Sequence, residues 1–71
     1  MQEVKQVGKR MRALRRAKDL TQGQLAVICQ CSQATIANIE QGRREPSIDL
    51  VNRIANALDT TIDFLLNGRE V

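Results

Sequence analysis

The 71-residue sequence contains no histidine, no tryptophan and no tyrosine, and its single aromatic residue is Phe64. Without histidine the chain lacks the usual acid–base side chain near neutral pH and the commonest metal ligand. With a single aromatic side chain it lacks the stacking platforms on which proteins hold single-stranded nucleic acid. No apolar run approaches the roughly 20 residues that span a bilayer, and no signal peptide opens the chain. The expected compartment is the cytoplasm, with no membrane partner. The two cysteines, Cys29 and Cys31, are too close to close a useful loop, and two thiolates without histidine make a poor zinc site. They read as small, half-buried apolar side chains, with a redox-sensing pair as the sharper alternative. At this length the chain is one domain, 1–71, whose small core leaves little room for a buried active-site cavity.

What is present is positive charge, unevenly spread. The net charge is +3. Residues 1–20 hold Lys5, Lys9, Arg10, Arg12, Arg15, Arg16 and Lys18 against Glu3 and Asp19. Residues 45–71 hold only Arg53 and Arg69 against Glu45, Asp49, Asp59, Asp63 and Glu70. A basic front and an acidic back suggest one surface facing a polyanion, although a solvated basic helix has the same composition.

Hydrophobic spacing is helical throughout. Val4, Val7, Met11 and Leu14 recur at three- and four-residue steps, as do Leu25, Ile28 and Cys29, then Ile36 and Ile39, then Val51, Ile54, Ala55 and Leu58. No alternating strand pattern and no repeat is present. Thr21 and Gln24 have the spacing of a capping box. Ser32 is a second N-cap, Ser47 caps a helix with Asp49 in its first turn, and Thr60-x-x-Asp63 resembles a further cap. Gly42 and Gly68 mark C-terminal stops. The expected helices cover about 3–18, 22–29, 33–40, 47–58 and 61–66.

The second and third helices are short and joined by Gln30-Cys31-Ser32, the arrangement of a helix-turn-helix with its core at about 21–40. The second helix of such a unit can enter the DNA major groove. At about 100° per residue, Gln33, Ala34, Ala37 and Asn38 share one arc of the third helix, while Ile36 and Ile39 lie opposite. Two amides suit adenine, and methyl-sized side chains suit the thymine methyl and close approach to the groove floor; an ordinary polar helix face would look the same. Arg15 falls on the apolar stripe of the first helix and Glu40 falls beside Ile36. An unpaired buried charge is costly, so the two are expected to pair. Lys18, near the same stripe, is expected to snorkel outward.

These residues resemble the phage-repressor-like (Cro and XRE-type) helix-turn-helix family from about Val7 to Gly68. The landmarks are Arg12-Ala-Leu-Arg15, Leu20-Thr-Gln22, Leu25-Ala26, Ser32-Gln-Ala-Thr-Ile36, Ile39-Glu40-x-Gly42-Arg43, Pro46-Ser47, Ile54-Ala55-x-Ala57-Leu58 and Asp63-Phe-Leu-Leu66. Singly weak, they are highly specific in this order. The resemblance implies an all-α, compact five-helix bundle of the lambda-repressor-like kind. It also implies roles. Gln22 matches a glutamine that contacts phosphate and braces the first side chain of the recognition helix. Gln33, Ala34 and Asn38 match base-reading positions, and Thr35 matches a phosphate- or base-contacting one. Arg43 and Arg44 lie in a loop along the backbone. With Ser32 and Ala37 these form the candidate DNA-contacting set. Arg15 and Glu40 match the family's buried pair, and Phe64 and Leu66 are candidates for a homodimer interface. The sequence departs from the family at Gln30, Asp19 and Asp59, where glycine is common. A left-handed Gln30 would cost about 1 kcal/mol.

The function expected is a sequence-specific, double-stranded DNA-binding transcriptional regulator, a repressor or autoregulator on a two-fold-symmetric operator. Antitoxins and adaptors use the same fold, so a protein-interaction module is the alternative. The missing histidine, metal cluster and phosphate-cradling glycine loop argue against an enzyme, and no cofactor or metal is expected. Met1 and the short tail after Gly68 favour a whole small protein.

Overall fold

The computed structural model describes residues 4–69 and comprises five helices joined by short turns. They are α1 (Val4–Ala17), α2 (Gln22–Cys29), α3 (Gln33–Glu40), α4 (Ile48–Ala57) and α5 (Ile62–Asn67). The expected spans agree to within about a residue at each end; Glu3, placed at the start of the first helix, lies outside the described residues, as do Glu70 and the side chains of Val4 and Lys5.

Helices of eight residues are marginal in water on their own. Here their ends and one face are satisfied from outside. Thr21 accepts the Gln24 backbone N–H at 3.0 Å while the Thr21 backbone N–H donates to Gln24 Oε1 at 2.8 Å, completing the capping box. Ser32 and Ser47 cap α3 and α4 by accepting the backbone N–H groups of Thr35 and Leu50. At α5 the cap is Thr61, which accepts the Phe64 N–H at 3.0 Å, and not Thr60. The Thr60 N–H instead closes the end of α4 on the Ala55 carbonyl at 2.9 Å. Two adjacent threonines divide the work of ending one helix and starting the next.

The first four helices end alike, in a left-handed residue followed by an amide that reaches back five residues. Leu20 donates to Arg15, Cys31 to Ala26, Arg43 to Asn38 and Thr60 to Ala55, at 2.9–3.1 Å. The left-handed residues are Asp19, Gln30, Gly42 and Asp59, with φ of 57°, 58°, 76° and 55°. This Schellman-type closure satisfies carbonyls the helix would leave orphaned. Gln30 therefore adopts the conformation in which a long side chain is strained.

Met11, Leu25, Cys29, Ile36, Ile39, Val51, Ile54, Leu58 and Leu65 are almost wholly buried and form one core. Helix α3 packs on α1 and α2, α4 on α2 and α5, and α5 on α1. Two details depart from the sequence pattern. Ala26, not Ile28, joins Leu25 and Cys29 in the core, and Ile28 is 53 % exposed. Both apolar neighbours of Leu25 fit a helical stripe, and only the positions of α3 and α4 decide which one is covered. Gly8 is a contact the spacing did not reveal: a Cβ there would lie 2.2 Å from the Ile39 carbonyl oxygen, so only glycine lets α1 cross the end of α3 this closely. Cys29 and Cys31 are free thiols; desolvation pushes Cys29 up to about 11 and raises Cys31 as well, the opposite of what a reactive thiolate needs. Among the described residues no helix is long and apolar enough to cross a membrane.

Replacing Gln30 with glycine removes the left-handed strain without touching the core. Gln30→Gly should raise the unfolding free energy by about 0.5–1 kcal/mol in a urea titration. Equal or lower stability would show that the Gln30 backbone carries no strain.

Candidate nucleic-acid interface

The position of α3 is set by a buried ionic cluster. Arg15 and Glu40 are each only 8 % exposed. Arg15 Nε donates to Glu40 Oε2 at 2.7 Å and Nη2 donates to Oε1 at 3.1 Å, a two-point grip on the carboxylate. Arg15 Nη1 donates to the Leu20 carbonyl at 2.7 Å, and Gln22 Nε2 donates to Glu40 Oε1 at 3.1 Å. One cluster thus joins α1, the turn after it, the start of α2 and the end of α3. The hydrogen bond to Glu40 raises the Arg15 pKa, outweighing the desolvation that would lower it, so the guanidinium stays charged. Among the described residues no buried side-chain polar atom lacks a partner. The pair expected from the wheel positions is present. The Gln22 amide donates to Glu40, and among the described residues no hydrogen bond joins Gln22 to Gln33.

With Ile36, Ile39 and Glu40 turned inward, α3 presents its opposite arc outward. Gln33 and Ala34 are exposed, and Ala37 and Asn38 are half-buried on the same side. At the start of the helix, Ser32 Oγ and Thr35 Oγ1 lie 2.9 Å apart and share a hydrogen bond, and Arg44 Nη1 reaches Thr35 Oγ1 at 3.4 Å. The loop arginine is thereby drawn to the first turn of α3. Arg43 is exposed beside it. Seven of the nine candidate DNA-contacting residues therefore belong to α3, its cap or the loop that returns past its start, while Gln22 opens α2 and Arg43 ends the α3 closure.

The basic front half is less of a unit than its composition suggested. Arg15 is buried, Arg10 Nη1 donates to the Leu65 carbonyl at 3.0 Å, and Lys18 reaches out to Asp59 at 2.5 Å. Lys18 does extend outward, but it meets a carboxylate from the acidic half. Arg53 pairs with Asp49 and also donates to the Cys29 carbonyl at 2.9 Å, stitching α4 to the end of α2. Of the front-half cations whose side chains are described, Lys9, Arg12 and Arg16 remain exposed on α1. A charge tally along the sequence cannot separate cations that hold the fold from cations that face solvent. The dimer candidates on α5 are both half-buried; Leu66 packs partly on the core and Phe64 is covered less completely than its neighbour Leu65.

Comparison with known proteins agrees with this geometry. The model of the helix-turn-helix domain family matches residues 6–65. The immunity repressor protein of Bacillus phage phi105 is 35 % identical over 60 residues, covering 84 % of this chain and 42 % of that protein. The transcriptional activator BcrR of Enterococcus faecalis is 36 % identical over 62 residues, covering 87 % of this chain and 30 % of that protein. The chain thus spans less than half the length of these curated relatives. Among solved structures, the P22 c2 repressor in complex with a synthetic operator superimposes with a TM-score of 0.86 at 28 % identity, over 89 % of this chain and 96 % of that one.

Glu40→Ala would strand the Arg15 guanidinium in the core and should destabilise the fold by about 3–5 kcal/mol, enough to unfold much of so small a domain at 25 °C. Arg15→Met combined with Glu40→Leu should recover most of that loss. Circular dichroism during urea titration measures both, and a Glu40→Ala protein as stable as wild type would contradict the role given to the pair.

Proposed function

The chain belongs to the phage-repressor-like (Cro and XRE-type) helix-turn-helix family, and from that premise we propose that it is a sequence-specific, double-stranded DNA-binding transcriptional regulator. The observation that carries this reading is the outward arc of α3, where Gln33 and Ala34 stand exposed beside Ala37 and Asn38 while the opposite side is locked into the core. Gln33 and Asn38 supply amides able to bond adenine N6 and N7, and the alanines admit a thymine methyl. Arg43, Arg44, Thr35, Ser32 and the first turn of α2 at Gln22 supply the phosphate-facing rim. The protein acts as a homodimer through α5, with Phe64 and Leu66 at the interface, and addresses two half-sites about 34 Å apart. The reading is of a repressor or autoregulator, in the manner of the phage immunity repressor relative. It needs no cofactor, carries out no catalysis and works in the cytoplasm.

A second reading, a module that docks a protein partner, draws on Val27 and Ile28, which are 78 % and 53 % exposed on α2. Large apolar side chains left in solvent side by side suit a protein contact better than a phosphate. The two readings separate in one experiment: selection of bound sequences from a random duplex pool at about 150 mM salt. A two-fold-symmetric motif with A·T pairs in each half supports the DNA reading, and the absence of any enriched motif supports the docking module.

Two substitutions sort reading from holding. Gln33→Ala should weaken binding to the selected site by about 1–3 kcal/mol and relax selectivity at one base pair. Equal losses on selected and random DNA would remove Gln33 from base reading. Arg43→Ala should weaken all sequences alike and lower the slope of log affinity against log salt by about 1, as read from titrations at several salt concentrations.

A further inference from the structure

Two of the glycines lie inside helices, where glycine is less stable than alanine. Gly8 is accounted for by the backbone of α3 against it. Gly23, the second residue of α2, has no backbone against it. A Cβ at Gly23 would instead lie 3.2 Å from Gln33 Oε1, 3.8 Å from Gln33 Cδ and 3.9 Å from Thr21 Oγ1. The space that Gly23 leaves open is the space beside the Gln33 amide. Gln22, the residue before Gly23, donates its side-chain amide to Glu40.

We propose that Gly23 is a specificity-setting residue: by lacking a Cβ it leaves a slot on the first turn of α2 in which the Gln33 amide lies, and so sets how Gln33 meets its base pair. The inference rests on the reading of Gln33 as a base-contacting residue. Its physical basis is the flexibility of glutamine. A glutamine has several rotatable bonds, and two-point recognition of adenine requires the amide oxygen and nitrogen to lie together in the plane of the base. A side chain resting against a fixed surface loses less freedom on binding and favours one presentation. Recognition geometry tolerates displacements of only about 0.5 Å. A methyl group at position 23 falls inside ordinary contact distance of Oε1 and moves it by a few tenths of an ångström, and an isopropyl group fills the slot.

The test compares Gly23→Ala and Gly23→Val with wild type on the selected duplex and on duplexes altered one base pair at a time. Gln33→Ala identifies the pair that Gln33 reads. Discrimination at that pair should fall by about fivefold or more, further in Gly23→Val than in Gly23→Ala, while discrimination elsewhere stays within about twofold. In a Gln33→Ala background, Gly23→Ala should change affinity by less than about twofold, because nothing remains to be positioned. The thermal midpoint of Gly23→Ala should equal or exceed that of wild type, which separates the effect from damage to the fold. Undiminished discrimination at the Gln33 pair in both variants would overturn the inference alone, as would an equal loss in the Gln33→Ala background. A wild-type protein that enriches no motif would overturn the DNA reading and this inference with it.

Discussion

The grip of Arg15 on Glu40 is the contact from which the rest of the motif takes its position. Apolar burial supplies most of the stability, at about 1.5–3 kcal/mol for each fully buried large side chain, but it is non-directional. A core of Leu, Ile, Val and Met can be satisfied by several slightly different packings. A buried guanidinium cannot, because its donors must each find an acceptor in one plane. Here the acceptors are Glu40 at the end of α3 and the Leu20 carbonyl in the turn before α2. Gly8 completes the constraint from the other side, since its missing Cβ lets α1 press on the last carbonyls of α3. Helix α3 is thus held by its far end, and its outward arc points away from everything that holds it.

The cost of building so small a bundle is visible in its turns. Each of the first four helices ends in a left-handed residue, and only one of those four is glycine. Aspartate accepts this conformation with little strain, glutamine less readily. The closure is kept because a three-residue connection between α2 and α3 leaves the chain no other way to reverse while satisfying the last carbonyls of α2. Side chains from distant elements finish the remaining helix ends: Arg53 donates to the Cys29 carbonyl at the end of α2, and Arg10 to the Leu65 carbonyl in α5. Arginines counted as surface charge are in these places part of the covalent chain's hydrogen-bond accounting.

How much of this was legible in the sequence depends on the range of the interaction. Thr21, Ser32 and Ser47 were readable as caps because a cap is decided within four residues. The Arg15–Glu40 pair was readable because two charges on two apolar stripes leave few alternatives. The cap of α5 was misplaced by one residue, from Thr61 to Thr60, because adjacent threonines offer the same local signal and only the end of α4 separates them. Ile28 shares the helical spacing of Leu25 and Cys29 yet lies exposed while Ala26 is buried, because the face that α4 covers is not a property of α2. The resemblance gave Gln22 a role toward DNA, and its hydrogen bond to Glu40 is an added contact that only the packed helices reveal. Gly8 and Gly23 carried no signal at all, since a missing atom has meaning only beside the neighbour that would collide with it.

The rim of the proposed interface follows the same logic at the scale of single protons. Ser32 Oγ accepts the Thr35 N–H as a cap and also lies within hydrogen-bond distance of Thr35 Oγ1. Two hydroxyl hydrogens serve this pair, and one of them suffices to join the two oxygens. If Thr35 donates to Ser32, the Ser32 hydrogen is left to point outward; if Ser32 donates, the Thr35 hydrogen is. Arg44 approaches Thr35 Oγ1 from the loop and can bond only a lone pair there, so it does not compete for that remaining hydrogen. The start of α3 therefore holds a spare hydroxyl donor beside a guanidinium at whichever residue carries it. An acceptor rich in negative charge satisfies both at once, whereas an apolar partner satisfies neither. That preference ties the cap of the recognition helix to the same anionic ligand that the exposed Arg43 favours.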